Sequence, residues 1–173
     1  MLVFRRSTLT RTTGGKSIVK SAEKALAGAA GGVGGTLVLS ALRSALREVG
    51  LVYETAPMQV VERLVQEADL PADRPVAKGA LSLAAHLAYG TTVGAALGAL
   101  RDEADDAGSE AAVGMALGVL MWGVGWAGWL PIVGADRAAC NYHNPKVLLP
   151  IVDHAVYGAV WGVLFWALSR DSR

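Results

Sequence analysis

"AAVGMALGVLMWGVGWAGWLPIVG", residues 111–134, holds no charged side chain and no amide, hydroxyl or imidazole. A helix of a soluble protein shows a polar face at the 3.6-residue period. This stretch is apolar around its whole circumference. Such a helix lies in a large core or in lipid, and 173 residues are too few for a large core. The expected surroundings are therefore lipid.

Three other stretches read the same way. Ala25–Leu42 and Gly79–Leu100 carry no charge, and Val147–Leu168 carries only Asp153. A transmembrane helix needs roughly 20 mainly apolar residues to cross about 30 Å of hydrocarbon. The first stretch is short, but its helix can continue through "SALRSALREVG" with Arg43 and Arg47 snorkelling to the interface. The expected fold is all-α: an integral membrane four-helix bundle across residues 25–169. The net charge of +1 gives no basis for nucleic-acid binding. The partners implied are the lipid bilayer and other membrane-protein subunits or copies of the chain itself.

Residues 1–24 form a basic arm, with Arg5, Arg6, Arg11, Lys16, Lys20 and Lys24 against Glu23 alone. So long a polar lead is unlike a secretory signal. The positive-inside rule places the arm in the cytoplasm. Four crossings return the short tail, residues 170–173, to the same side. The arm either rests on the membrane surface or stays disordered. Cys140, the single cysteine, falls in the second outer loop and has no partner for an internal disulfide.

Between the first two spans, "APMQVVERLVQEADL", residues 56–70, sets Val60, Val61, Leu64, Val65 and Ala68 at helical spacing opposite Glu62, Arg63, Gln66 and Glu67. This predicts a short amphipathic helix that lies on the outer membrane surface or packs over the bundle. Pro71 and Pro75 close it. The acidic "RDEADDAGSE", residues 101–110, reads as the loop between spans two and three.

Spans two and four share a motif. "HLAYGTTVG" begins at His86 and "HAVYGAVWG" at His154. Each histidine stands seven residues into its run, about 10 Å from the outer end. Gly90 and Gly94, and likewise Gly158 and Gly162, follow at four-residue spacing and form one ridge per helix. Small residues let helices approach closely, the main packing device in lipid. The first span has "AGAAGGVGG" and the third has Gly114 and Gly118. The pattern suggests two hairpins related by a two-fold axis along the membrane normal.

"PMQVVERL", "HLAYGTTVGAALGAL", a tryptophan-rich helix and the second "HAVYG" together resemble the YagU-like family of bacterial inner-membrane proteins, from about Gly28 to Leu168. The resemblance implies a small polytopic protein of the bacterial inner membrane. It implies no reaction.

His86, Tyr89, Asp153, His154 and Tyr157 form the candidate site, a polar layer within the membrane. Such residues are costly in lipid and usually face the protein interior. Three roles are open. The layer can be a hydrogen-bonded clasp between hairpins. It can gate a small proton or cation transporter, although the first and third spans offer no charge deeper in the membrane. The two histidines can also ligate a haem or another pigment, lined by Trp122, Trp126, Trp129, Trp161 and Trp166. Asp136, Cys140 and His143 fall at i, i+4 and i+7, but "NP" after His143 breaks the helix, so no metal site is expected. "GAAGGVGGT", residues 28–36, lacks the lysine and preceding strand of a phosphate loop. No nucleophile–base arrangement emerges, so no enzyme is expected. The expected role is a packing or accessory subunit, or a homo-oligomer.

Overall fold

The computed structural model describes residues 13–51, 56–67, 75–102, 104–132 and 148–170. Helix α1 is Thr13–Glu48, α2 Ala56–Glu67, α3 Pro75–Leu100, α4 Ala107–Val124, α5 Leu130–Ile132 and α6 Leu149–Ser169. A π-turn, Gly125–Trp129, joins α4 to α5 without a break, so the four long apolar helices cover Ile18–Glu48, Ala77–Leu100, Ala107–Ile132 and Leu149–Ser169. Each is long and apolar enough to cross a membrane, and the protein is an all-α, multi-pass membrane bundle. Many large apolar side chains stay uncovered, among them Leu120, Val124 and Ile132. A chain in water would not leave so wide a surface bare.

Local chemistry sets the helix ends. α1 begins inside the basic arm and stops at Gly50, whose φ of +73° suits a residue without Cβ. There Leu51 N–H donates to the Leu46 carbonyl at 2.9 Å and Gly50 N–H to the Arg47 carbonyl at 3.0 Å, so two terminal carbonyls are satisfied. α3 starts at Pro75, four residues before the uncharged run, because proline is tolerated at the first helical position. Asp106 caps α4 by accepting from the Gly108 and Ser109 amides at 2.9 and 3.0 Å and from the Ser109 hydroxyl at 2.7 Å. The π-turn has a cause in Pro131, whose ring crowds the carbonyl four residues back. The ladder shifts by one residue, and Leu130 N–H donates to the Gly125 carbonyl.

α1 packs on α3, α4 packs on α6, and α1 joins the two hairpins by packing on α6. A Cβ at Gly28 or Gly32 would overlap the Gly94 or Gly90 carbonyl oxygen on α3. Gly114 and Gly158 stand in the same relation across α4 and α6, and a Cβ at Gly162 would meet the Glu110 carbonyl. The backbones are that close only because no side chain intervenes. α1 carries a second ridge one residue round. Gly31 faces Trp161 and Gly35 faces Tyr157 on α6. Helix α1 thus has small residues on two faces and occupies the middle of the fold.

The hairpins use glycines in matching positions, yet the contact between them does not repeat. α3 and α4 are not packed together as α1 and α6 are. The core lies where the glycine contacts end: Trp161 and Phe165 stack with ring centroids 5.1 Å apart, beside Ala27 and flanked by Leu97 and Leu117.

Candidate functional site: a polar layer within the bundle

α6 presents two faces. Gly158 and Gly162 look to α4. Asp153, Tyr157, Trp161 and Phe165, four residues apart, form a buried ridge. Asp153 is 2% exposed at its near end. Arg43 of α1 donates Nε–H to Asp153 Oδ2 at 2.7 Å, and the Arg43 side chain is itself only 13% exposed. His154 Nδ1 lies 2.7 Å from Asp153 Oδ1 and 2.7 Å from the Pro150 carbonyl. Both neighbours accept, so Nδ1 carries the hydrogen. One carboxylate therefore holds a guanidinium from one hairpin and an imidazole from the other.

His86 of α3 shares a hydrogen bond of 3.2 Å with Ser40 Oγ of α1. Among the described residues, Arg43, Asp153 and His154 are the charged and titratable groups close enough to act on it electrostatically. Tyr157 donates its hydroxyl hydrogen to the Gly90 carbonyl at 3.2 Å, and Trp161 donates Nε1–H to the Gly28 carbonyl at 3.0 Å. Those two bonds tie α6 to the backbones of α3 and α1.

Three expectations need correction. Arg43 does not snorkel to the interface. A buried carboxylate, Asp153, lies within reach and would be costly if left unpaired. The ion pair between hairpins is consequently Arg43–Asp153, beside the Tyr157 and Trp161 hydrogen bonds, with His86 bonded inside its own hairpin and His154 within its own helix. Tyr89 does not join the layer as Tyr157 does. It is 38% exposed, with its ring 5.7 Å from that of Trp129. Both tyrosines stand one residue before the glycine ridge, on the neighbouring face of their helices. On α6 that face meets α1. On α3 the same face turns Tyr89 toward Trp129 of the other hairpin.

Glu110, read as part of an acidic loop, is fully buried in the first turn of α4. Arg101 grips it through Nε at 2.8 Å and Nη2 at 3.2 Å, and the Ala104 amide donates to it. Sequence carried a signal for this: Glu110 precedes Gly114 and Gly118 at four-residue spacing, so it lies on the packing ridge. Thr36, Ser40 and Arg43 likewise share one face of α1. Thr36 Oγ1 is buried without a hydrogen-bond partner among the described residues.

Of the tryptophans, Trp161 is in the core, Trp122 and Trp126 stack at 5.6 Å, and Trp166 lies under the Arg170 guanidinium at 4.5 Å. They do not surround the histidines as one group. Asp136, Cys140 and His143 lie outside the described residues. Among the described residues no three His, Cys, Asp or Glu side chains group to hold a metal ion. On the outside of α4, Val119, Leu120, Trp122, Gly123, Val124, Ala127 and Gly128 line an open apolar groove of ≈ 590 Å³.

Comparison with protein-family models, with curated proteins and with solved structures gave no match.

Proposed function

We propose that the chain is a non-enzymatic structural subunit of a membrane assembly, joining other membrane proteins or copies of itself. The observation that carries this reading is the outer face of α4. Glycines on the inner faces of the four long helices lie against a neighbouring helix, whereas a Cβ at Gly123 would meet nothing. The groove around it is open, apolar and lined from one helix. Small residues on an uncovered face in lipid are a seat for a further helix. The polar layer fits the same reading, since Arg43, Asp153 and His154 satisfy one another and lock the two hairpins into a fixed shape.

In this reading the protein resides in a bacterial inner membrane with both termini in the cytoplasm, as its resemblance to the YagU-like family and its basic arm suggest. A small proton or cation transporter gated at His86, Asp153 and His154 is the second reading, favoured by the gathering of these groups at one depth. No charged residue lies between that layer and Glu110 to extend a path.

The test is native mass in lipid nanodiscs, with Gly123→Cys cross-linking in a Cys140→Ser background. A mass above the monomer and a cross-link through position 123 are expected. A colourless monomer that carries protons into proteoliposomes would overturn the assembly reading in favour of transport. A Soret band would move the histidines to haem ligation.

A further inference from the structure

Helix α2 lies at a place fixed by its neighbours. The glycine contacts run Gly28 to Gly94 and Gly32 to Gly90, so α1 and α3 are antiparallel. The end of α1 and the start of α3 are therefore on one side of the membrane, and α2 is between them in the chain. Its 12 residues make a rod of about 18 Å, too short for about 30 Å of hydrocarbon. It packs against α3.

Its apolar face is only partly used by that contact. Val61 is fully buried, whereas Leu64, about 60° further round the helix, is 54% exposed. Arg63 and Gln66 are exposed further round, and Glu67 is exposed about 60° beyond Leu64. α3 also bares Leu81 and Leu83 near its start, on the part of the bundle that meets lipid. Leu64 is thus uncovered on a helix packed against α3, which bares its own leucines near its start.

We propose that α2 is an interfacial helix, held to α3 through Val61 and resting on the bilayer through Leu64. The partner is the lipid surface itself, at the level where headgroups meet acyl chains. α2 carries Glu62, Arg63 and Glu67, one cation against two anions. Insertion of an apolar side chain, not attraction to anionic lipid, holds it there. This inference is independent of whether α4 receives a partner.

The experiment places an environment-sensitive fluorophore at Leu64→Cys, and separately at Gln66→Cys, in the full-length Cys140→Ser protein in vesicles. Nitroxide lipids labelled just below the headgroup should quench the probe at 64 several-fold more than the probe at 66. Aqueous iodide should show the reverse order. The quenching at 64 should be equal in neutral and anionic vesicles. Equal iodide quenching at the two positions, shielding of 64 from both quenchers, or quenching seen only with anionic lipid would each overturn the proposal. If the labelled Leu64 variant fails to fold by circular dichroism, Val60→Cys on the same flank of the apolar face carries the same test.

Discussion

Arg43 and Asp153 meet at 2.7 Å across the boundary between the hairpins, 110 residues apart in the chain. Neither is exposed enough to be served by water. Removing one partner of such a pair leaves the other charged and alone, at about 3–5 kcal/mol. Arg43→Leu and Asp153→Leu should each destabilise by that order in detergent unfolding, and the double variant should recover most of the loss. His86→Leu removes one hydrogen bond and should cost near 0.6 kcal/mol, the average for such bonds in lipid. Additive single losses, or a His86 effect as large as that of Asp153, would refute the assignment of the clasp to the ion pair.

Gly158→Ala should weaken the α4–α6 contact. The new methyl collides with the Gly114 carbonyl, which is backbone and cannot turn aside. Overpacking of this kind costs about 1–3 kcal/mol. Gly79→Ala is the control, because its Cβ meets nothing, and the better helix former should leave stability unchanged or raise it by up to about 1 kcal/mol. Equal melting of both variants with wild type would place Gly158 against lipid.

Gly90→Ala meets a different obstacle, the Thr36 hydroxyl on α1. Among the described residues that oxygen is buried without a partner, so Thr36→Ala should be close to neutral. Combined with Gly90→Ala, it should restore much of what Gly90→Ala loses. A double variant no better than Gly90→Ala alone would show that another contact sets the cost.

The α4 cap should titrate. Hydrogen bonds from the Ser109 hydroxyl and amide, and more weakly from the Gly108 amide, hold the Asp106 carboxyl below its ordinary range against an opposing effect of desolvation. A folded-state pKa below the unfolded one contributes stability that is complete above the unfolded value of about 3.9. That stability is lost as pH falls through the folded value. Asp106→Asn should keep the cap and flatten this part of the acid limb, whereas Asp106→Ala should lower stability at neutral pH as well. Melts taken from neutral pH to about 3 check this, and parallel acid limbs for wild type and Asp106→Asn would count against it.

Orientation is open to a direct test. Cys140 should react with a membrane-impermeant thiol reagent added to the periplasmic face of spheroplasts. Labelling that appears only after lysis, with a denatured control reacting fully, would reverse the proposed topology.

The four spans were legible because lipid tolerates no polar face, and residues 111–134 display none. The ridges of Gly90 and Gly158 were legible because a four-residue spacing has one geometric meaning on a helix. Two ion pairs were not. Arg43 at the end of an apolar run has the same local pattern whether it reaches for water or for a carboxylate on another helix. Glu110 looked like a loop residue because its neighbours Asp105 and Asp106 are acidic and exposed. Tyr89 was misplaced by the repeat itself. Equal sequence around His86 and His154 predicts equal surroundings only when both helices have the same neighbours, and α1 lies between the hairpins on unequal terms.

The sequence separation of 110 between Arg43 and Asp153 also sets an order of events during synthesis. The ribosome delivers α1 to the bilayer long before α6 exists. At about 5–20 residues per second, Arg43 waits roughly 5–20 s for its counter-ion. An arginine at mid-helix carries an insertion penalty of about 2.5–3.5 kcal/mol, less toward the helix ends. The central helix therefore enters the membrane incomplete, and the last helix made is the one that secures the first. A nascent chain halted before α6 is left with an uncompensated cation toward the end of its first helix.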